Sequence, residues 1–147
     1  MSDEAEIRNV VRAIYAMISG PAGPRDWSKH YDYFHPECRQ IRTGIDESGK
    51  PYATIMSPEA YRENVTPFFN ETAFHEIELA CEVQVFGNMA HAWSSYEARN
   101  DLDSARPERR GINSIQFYRD ESGKWRIISM IWDNEREGLS LPASMTG

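Results

Sequence analysis

The sequence predicts an α+β domain built on a mostly antiparallel sheet. An apolar stripe at helical spacing runs through residues 3–19, and two shorter helical patterns follow it. Four long segments with period-two alternation then fill the C-terminal half, at about 74–86, 89–100, 110–119 and 124–134. Helices gathered first and strands gathered after them read as α+β, with sequential strands pairing as hairpins. A length of 147 residues fits a single domain over 1–147, large enough to bury a proper core.

The first helix is carried by Ile7, Val10, Val11, Ile14 and Ile18, with Tyr15 at the edge of the stripe. Gly20-Pro21-Ala22-Gly23-Pro24 stops it. Asp26 caps a short second helix bearing Trp27, His30, Tyr31 and Phe34, which ends at His35-Pro36. Cys38 to Thr43 reads as a strand and Gly44 to Tyr52 as a polar turn region. Ser57-Pro58-Glu59 starts a third helix with a cap, a proline in the first turn and an acid at the positive end. Its inward side is Ala60, Tyr61, Val65 and Phe68 or Phe69, and Pro67 limits its length.

In the run 74–86, Ile77, Leu79, Cys81, Val83 and Val85 fall on one face, and Glu76, Glu78, Glu82 and Gln84 on the other. Gly87-Asn88 makes a two-residue hairpin turn. It pairs Val85 with Ala90, Val83 with Ala92, Cys81 with Ser94 and Leu79 with Tyr96. The last hairpin turns at Asp120-Glu121-Ser122-Gly123, pairing Arg119 with Lys124 and Tyr118 with Trp125. One face then carries Ser114, Gln116, Tyr118, Trp125, Ile127 and Ser129; the other carries Ile115, Phe117, Met130 and Trp132. We assign the first to a pocket, because it joins Ser114, Gln116 and Ser129 to Ser94 and Tyr96. The second, with Trp93, becomes the outer face of a homodimer, since one sheet with few helices needs a second cover.

The N-terminal helix, Arg25-Asp26-Trp27, Phe34-His35-Pro36, the Gly87-Asn88 hairpin and Gly123-Lys124-Trp125-Arg126-Ile127 together resemble the nuclear-transport-factor-2-like (NTF2-like), SnoaL-like proteins. Ser95-Tyr96-Glu97-Ala98-Arg99 followed by Arg110-Gly111-Ile112-Asn113-Ser114-Ile115-Gln116 is similar to a bacterial branch of them. The resemblance covers nearly the whole chain. It implies a cystatin-like cone: a curved, mostly antiparallel sheet wrapped around a long N-terminal helix. It also implies either a small-molecule pocket, as in cofactor-independent isomerases and dehydratases, or a non-catalytic ligand-binding or dimeric assembly module. The tyrosine, base and late acid of ketosteroid isomerases fall at Ala13, near Arg42 and near Ile115, and none matches. The strand histidine of scytalone-dehydratase-like enzymes lines up with His75, and their late asparagine falls at Ser114.

His75 is therefore the first candidate acid/base, as an imidazole that titrates near neutrality. Asp133, at the end of the last strand, is the second. Tyr15, Trp27, Tyr31, Ser94, Tyr96, Ser114, Gln116 and Ser129 are the candidate substrate-binding residues. A net charge of −7, from 23 acidic and 16 basic residues, argues against nucleic acid. No apolar run approaches a membrane span, and the acidic N-terminus is no signal peptide. A cytoplasmic chain with Cys38 and Cys81 as reduced thiols is the expectation. Four scattered histidines and two cysteines make no metal site, and no cofactor motif is present. The expected partners are an unknown small molecule and a second copy, meeting through Trp93, Ile115, Phe117, Met130 and Trp132.

Overall fold

The computed structural model describes residues 1–147. Helix α1 spans Asp3–Ile18, with Ser2 as its cap: the Ser2 hydroxyl accepts from the Ala5 amide at 3.1 Å. Asp3, Glu4 and Glu6 sit in its positively polarised first turn. A single turn, α2 (His30–Tyr33), leads into β1 (Phe34–Ile45), then β2 (Pro51–Met56) and α3 (Pro58–Glu71). The strands β3 (His75–Phe86), β4 (Met89–Arg99), β5 (Arg109–Arg119) and β6 (Trp125–Asn134) follow, and a short 3₁₀ turn, Ala143–Met145, closes the chain.

The six strands form one curved, unclosed sheet in the order β2-β1-β6-β5-β4-β3. Every neighbouring pair is antiparallel except β1 and β6, which run parallel. Several elements depart from the sequence expectation. The second helix is one turn with Lys29, not Asp26, at its cap position, which leaves Trp27 outside it and lets β1 begin at Phe34 rather than Cys38. The region after Gly44 is a tight turn followed by β2, so that β1 and β2 form a hairpin. Pro67 does not end α3, which continues to Glu71.

Helix α1 lies across the concave face. Ile7, Val11, Ile14 and Tyr15 pack on Ala90, Ala92, Ile115, Phe117, Trp125 and Ile127. The two small alanines of β4 leave room for the helix. A second cluster under α3 joins Tyr61, Val65 and Phe69 to Ile18, Met56, Phe74 and Ala98.

The strand faces correct the sequence reading. The turn at Gly87-Asn88 gives Val85 opposite Ala90, Val83 opposite Ala92 and Cys81 opposite Ser94. Leu79 is then an extra, bulged residue, so Glu78 rather than Leu79 faces Tyr96. Glu76 and Glu78 thereby share the concave face with Cys81 and Val83, while Ile77 turns outward and is 36% exposed. In β5 the register places Ser94 opposite Asn113 and Tyr96 opposite Gly111. Asn113, Ile115 and Phe117 are buried inward, and Ser114 and Gln116 point to the convex face. The connection of residues 100–108 between β4 and β5 turns locally at Asp101 but is too long for that turn to fix a register, and a slip of one residue exchanges the faces.

The last hairpin closes with Arg119 opposite Trp125, one residue later than the sequence reading, because Asp120 Oδ1 gathers the Ser122 and Lys124 amides inside the turn. Ile128 is then bulged, which puts Trp125 and Ile127 on the same inward face as Met130 and Trp132, and Ser129 outward. Ile115, Phe117 and Met130 are therefore core residues, and Trp132 is half-buried on the concave side. Of the five residues expected at a dimer contact, Trp93 alone lies on the convex face.

Candidate functional site

One row of side chains crosses the concave face near the strand ends farthest from the final hairpin. In strand order it comprises Arg42 on β1, Trp132 and Asn134 on β6, Arg109 and Asn113 on β5, Tyr96 on β4 and Glu76 on β3. The inward faces of Tyr61, Val65, Phe68 and Phe69 on α3 roof this row, and Phe74 closes one end. Between them lies a cavity of about 440 Å³. That size belongs to sites for small molecules, which combine apolar walls with a few placed polar groups.

The polar group that sets the chemistry is Glu76. Burial pushes its carboxyl up to about 7; nearby Arg109 and a hydrogen bond from Asn113 pull the other way without cancelling the rise. A carboxyl that titrates near neutrality can both take and return a proton. Burial also raises the Tyr61 and Tyr96 hydroxyls, and the Glu76 charge raises them further, so both stay protonated donors. Tyr96 donates to Asn134 Oδ1 at 2.5 Å. Gly111 permits that contact: a β-carbon there would overlap the Tyr96 hydroxyl, Asn134 Oδ1 and the Asp133 carbonyl.

Beneath the cavity runs a buried relay. Asn113 Nδ2 donates to the Tyr15 hydroxyl at 2.9 Å; Tyr15 meets Ser94 Oγ at 2.7 Å; Ser94 donates to Glu78 Oε2 at 2.7 Å. Two glutamates on one strand face thus have different surroundings. Glu78 is tied to a hydroxyl of the core, whereas Glu76 faces the cavity.

No family model matches the chain, and no curated protein matches it. Solved structures do. A Nostoc punctiforme protein of unknown function with a cystatin-like fold superposes at a TM-score of 0.68, with 12% identity over 90% of this chain and 91% of that one. An NTF2-like protein of Novosphingobium aromaticivorans gives 0.68, with 15% identity over 88% and 80%. An NTF2-like superfamily protein of Salmonella enterica gives 0.66, with 17% identity over 91% and 92%. The chain has the NTF2-like, cystatin-like fold. Identities this low carry the fold alone, so the chemistry has to be read from the residues.

Within this NTF2-like cone the candidate residues separate. Tyr96 lines the cavity. Tyr15 and Ser94 are buried in the relay below it. Ser114, Gln116 and Ser129 are on the convex side, where Ser114 Oγ meets His91 Nε2 at 3.0 Å. His75 precedes Glu76, so strand alternation turns it away from the cavity, opposite Arg99. Asp133 is likewise outside the cavity, paired with Arg136 at 2.7 Å. Trp27 packs edge-on against Tyr61, 6.1 Å between centroids, behind the cavity wall. The Tyr31 hydroxyl donates to Glu59 on the outer side of α3, with Arg62 over its ring.

Glu76, Asn113, Asn134, Arg42 and Arg109 escaped the sequence reading. One signal pointed to Glu76: Phe74, Glu76 and Glu78 share a parity, and Phe74 is an aromatic that must go inside. The apolar run Ile77, Leu79, Cys81, Val83 and Val85 has the opposite parity and masks it.

Proposed function

We propose that the NTF2-like cavity binds a small, largely apolar molecule and that Glu76 is the acid/base of a cofactor-independent proton transfer, such as an isomerisation or a dehydration. The observation that carries this is a carboxyl on a cavity wall, held near 7 by burial. In its ionised form Glu76 takes a proton from carbon. The bonding pair moves toward an adjacent electron-withdrawing group, and the protonated Glu76 returns the proton elsewhere on the molecule or to a leaving hydroxyl. The Tyr61 hydroxyl, which remains protonated, is the donor available to the oxygen on which charge develops; the Tyr96 proton is held by Asn134 Oδ1.

The test is the titration of the Glu76 side-chain carboxyl carbon by NMR from about pH 4 to about pH 9, assigned with Glu76→Gln. A midpoint near 7 is expected. A midpoint in the ordinary carboxylate range removes the basis for the proposal. Deuterium exchange at the α-carbon of 1-tetralone, a bicyclic ketone of suitable size, supplies the functional readout. Wild-type protein should accelerate it and Glu76→Gln should abolish the acceleration, a loss of about 10²–10⁴-fold for a positioned general base.

A further inference from the structure

Two guanidinium groups line the same cavity, and neither takes or gives the proton, although Arg109 is near enough to Glu76 to oppose the rise of its carboxyl. In a chain with 23 acidic and 16 basic residues, carboxylate partners are plentiful. Six ion pairs engage Arg8, Arg99, Arg110, Arg119, Arg126 and Arg136. Arg42 and Arg109 belong to none of them. Arg42 lies 5.7 Å over the Trp132 ring and donates to Asn64 Oδ1 at 2.9 Å; Arg109 lies 5.6 Å over Phe74. An aromatic face holds a guanidinium by its plane and leaves its edge N–H groups free for a planar anion.

Their placement across the sheet is also informative. Strands lie about 4.8 Å apart, so Arg42, four strands from Glu76, faces it from the far side of the cavity, while Arg109 on β5 stands nearer. Between them the walls are Phe68, Phe69, Met130 and Trp132. We propose that the natural ligand is an organic monocarboxylate with an aromatic or aliphatic body, whose charge is met by Arg42 and Arg109 while its body lies along these walls. A dianion such as a phosphate ester fits less well, because the cavity also holds Glu76 and offers only two cationic groups. The proposal rests on reading the cavity as a small-molecule site.

The experiment compares 3-phenylpropionate with 3-phenylpropionamide by isothermal titration calorimetry at about pH 8, with 1-tetralone as a neutral third probe. The two phenylpropionyl compounds have the same shape and differ in charge. The carboxylate is expected to bind about tenfold or more tightly than the amide, as charge-assisted bidentate contacts imply. Arg42→Gln and Arg109→Gln should each reduce that preference, and the double variant should erase it. The wild-type comparison decides the sign even if a variant does not fold. Equal affinities, tighter binding of the amide, or a preference that survives in a folded double variant overturns the proposal. Binding of 1-tetralone alone also overturns it while leaving the cavity reading intact; failure of all three probes overturns both.

Discussion

Replacing Glu76 by Gln keeps the shape of the side chain and removes its charge, so the stability of that variant reports directly on the burial of the carboxyl. The folded protein raises this group from the ordinary 4.5 to about 7. A raised carboxyl contributes fully below its unfolded value, where both states are protonated. Its contribution is lost as pH rises through the folded value, because the unfolded chain ionises first. At about 1.36 kcal/mol per pH unit, the difference amounts to about 3 kcal/mol as a ceiling, since the cavity mouth admits water. Relative to wild type, Glu76→Gln should therefore gain up to about 3 kcal/mol between about pH 4 and about pH 8. For a chain of this length that corresponds to roughly 10 °C in Tm. Urea unfolding of both proteins at the two pH values measures it. An offset that is the same at both refutes the reasoning, because it would mean that Glu76 ionises as easily in the fold as in the open chain. The direction is the informative part: a proton-transfer group is expected to be more stable when disabled.

Ser94→Ala breaks the relay between Tyr15 and Glu78; it should cost about 1–3 kcal/mol in urea unfolding, because buried partners are left unsatisfied. Gly111→Ala forces a methyl into the Tyr96 hydroxyl and the Asp133 carbonyl, and a loss of about 1–3 kcal/mol is expected, with the Tyr96–Asn134 contact broken in a crystal structure of the variant. Burial pushes the Cys38 thiol up to about 12 and removes it from solvent. It should resist iodoacetamide at about pH 8 in the native protein and react once urea unfolds the chain; rapid native labelling would contradict its placement.

The parts of this fold that were legible in the sequence are those fixed by local chemistry. Helix α1 is marked by its stripe and its glycine-proline stop, α3 by Ser57-Pro58-Glu59, and the β3–β4 hairpin by Gly87-Asn88, which gave three cross-strand pairs correctly. The rest depends on parity, and parity is not local. The bulges at Leu79 and Ile128 each insert one residue, and no residue type at either position announces it. The long connection from Arg99 to Arg109 leaves the β5 register to be chosen by packing. Packing chose Ile115 and Phe117 for the core over Ser114 and Gln116, which is the cheaper solution by hydrophobic burial alone. Grouping the strand hydroxyls on one surface gives the opposite assignment, with the large residues outward. The strand β2 was hidden because Pro51–Met56 is exposed along most of its length, so it shows no buried alternation.

The bulge at Leu79 links the fold to the proposed chemistry. Without it, the strand segment that carries Cys81 and Val83 into the core would carry Ile77 and Leu79 with it. Both glutamates would then lie in solvent, where a carboxyl keeps its ordinary acidity. With the extra residue, Glu76 and Glu78 enter the concave side together, and their neighbours separate their roles. Glu78 receives the Ser94 hydroxyl at the end of the relay. Glu76 lies beyond the reach of that serine, against apolar walls and two high-pKa tyrosines, with Arg109 too exposed to neutralise it fully. A site intended only to hold the sheet together would gain from glutamine or leucine at position 76. Retaining an ionisable group there, at a cost in stability above neutral pH, makes physical sense if its proton is meant to move.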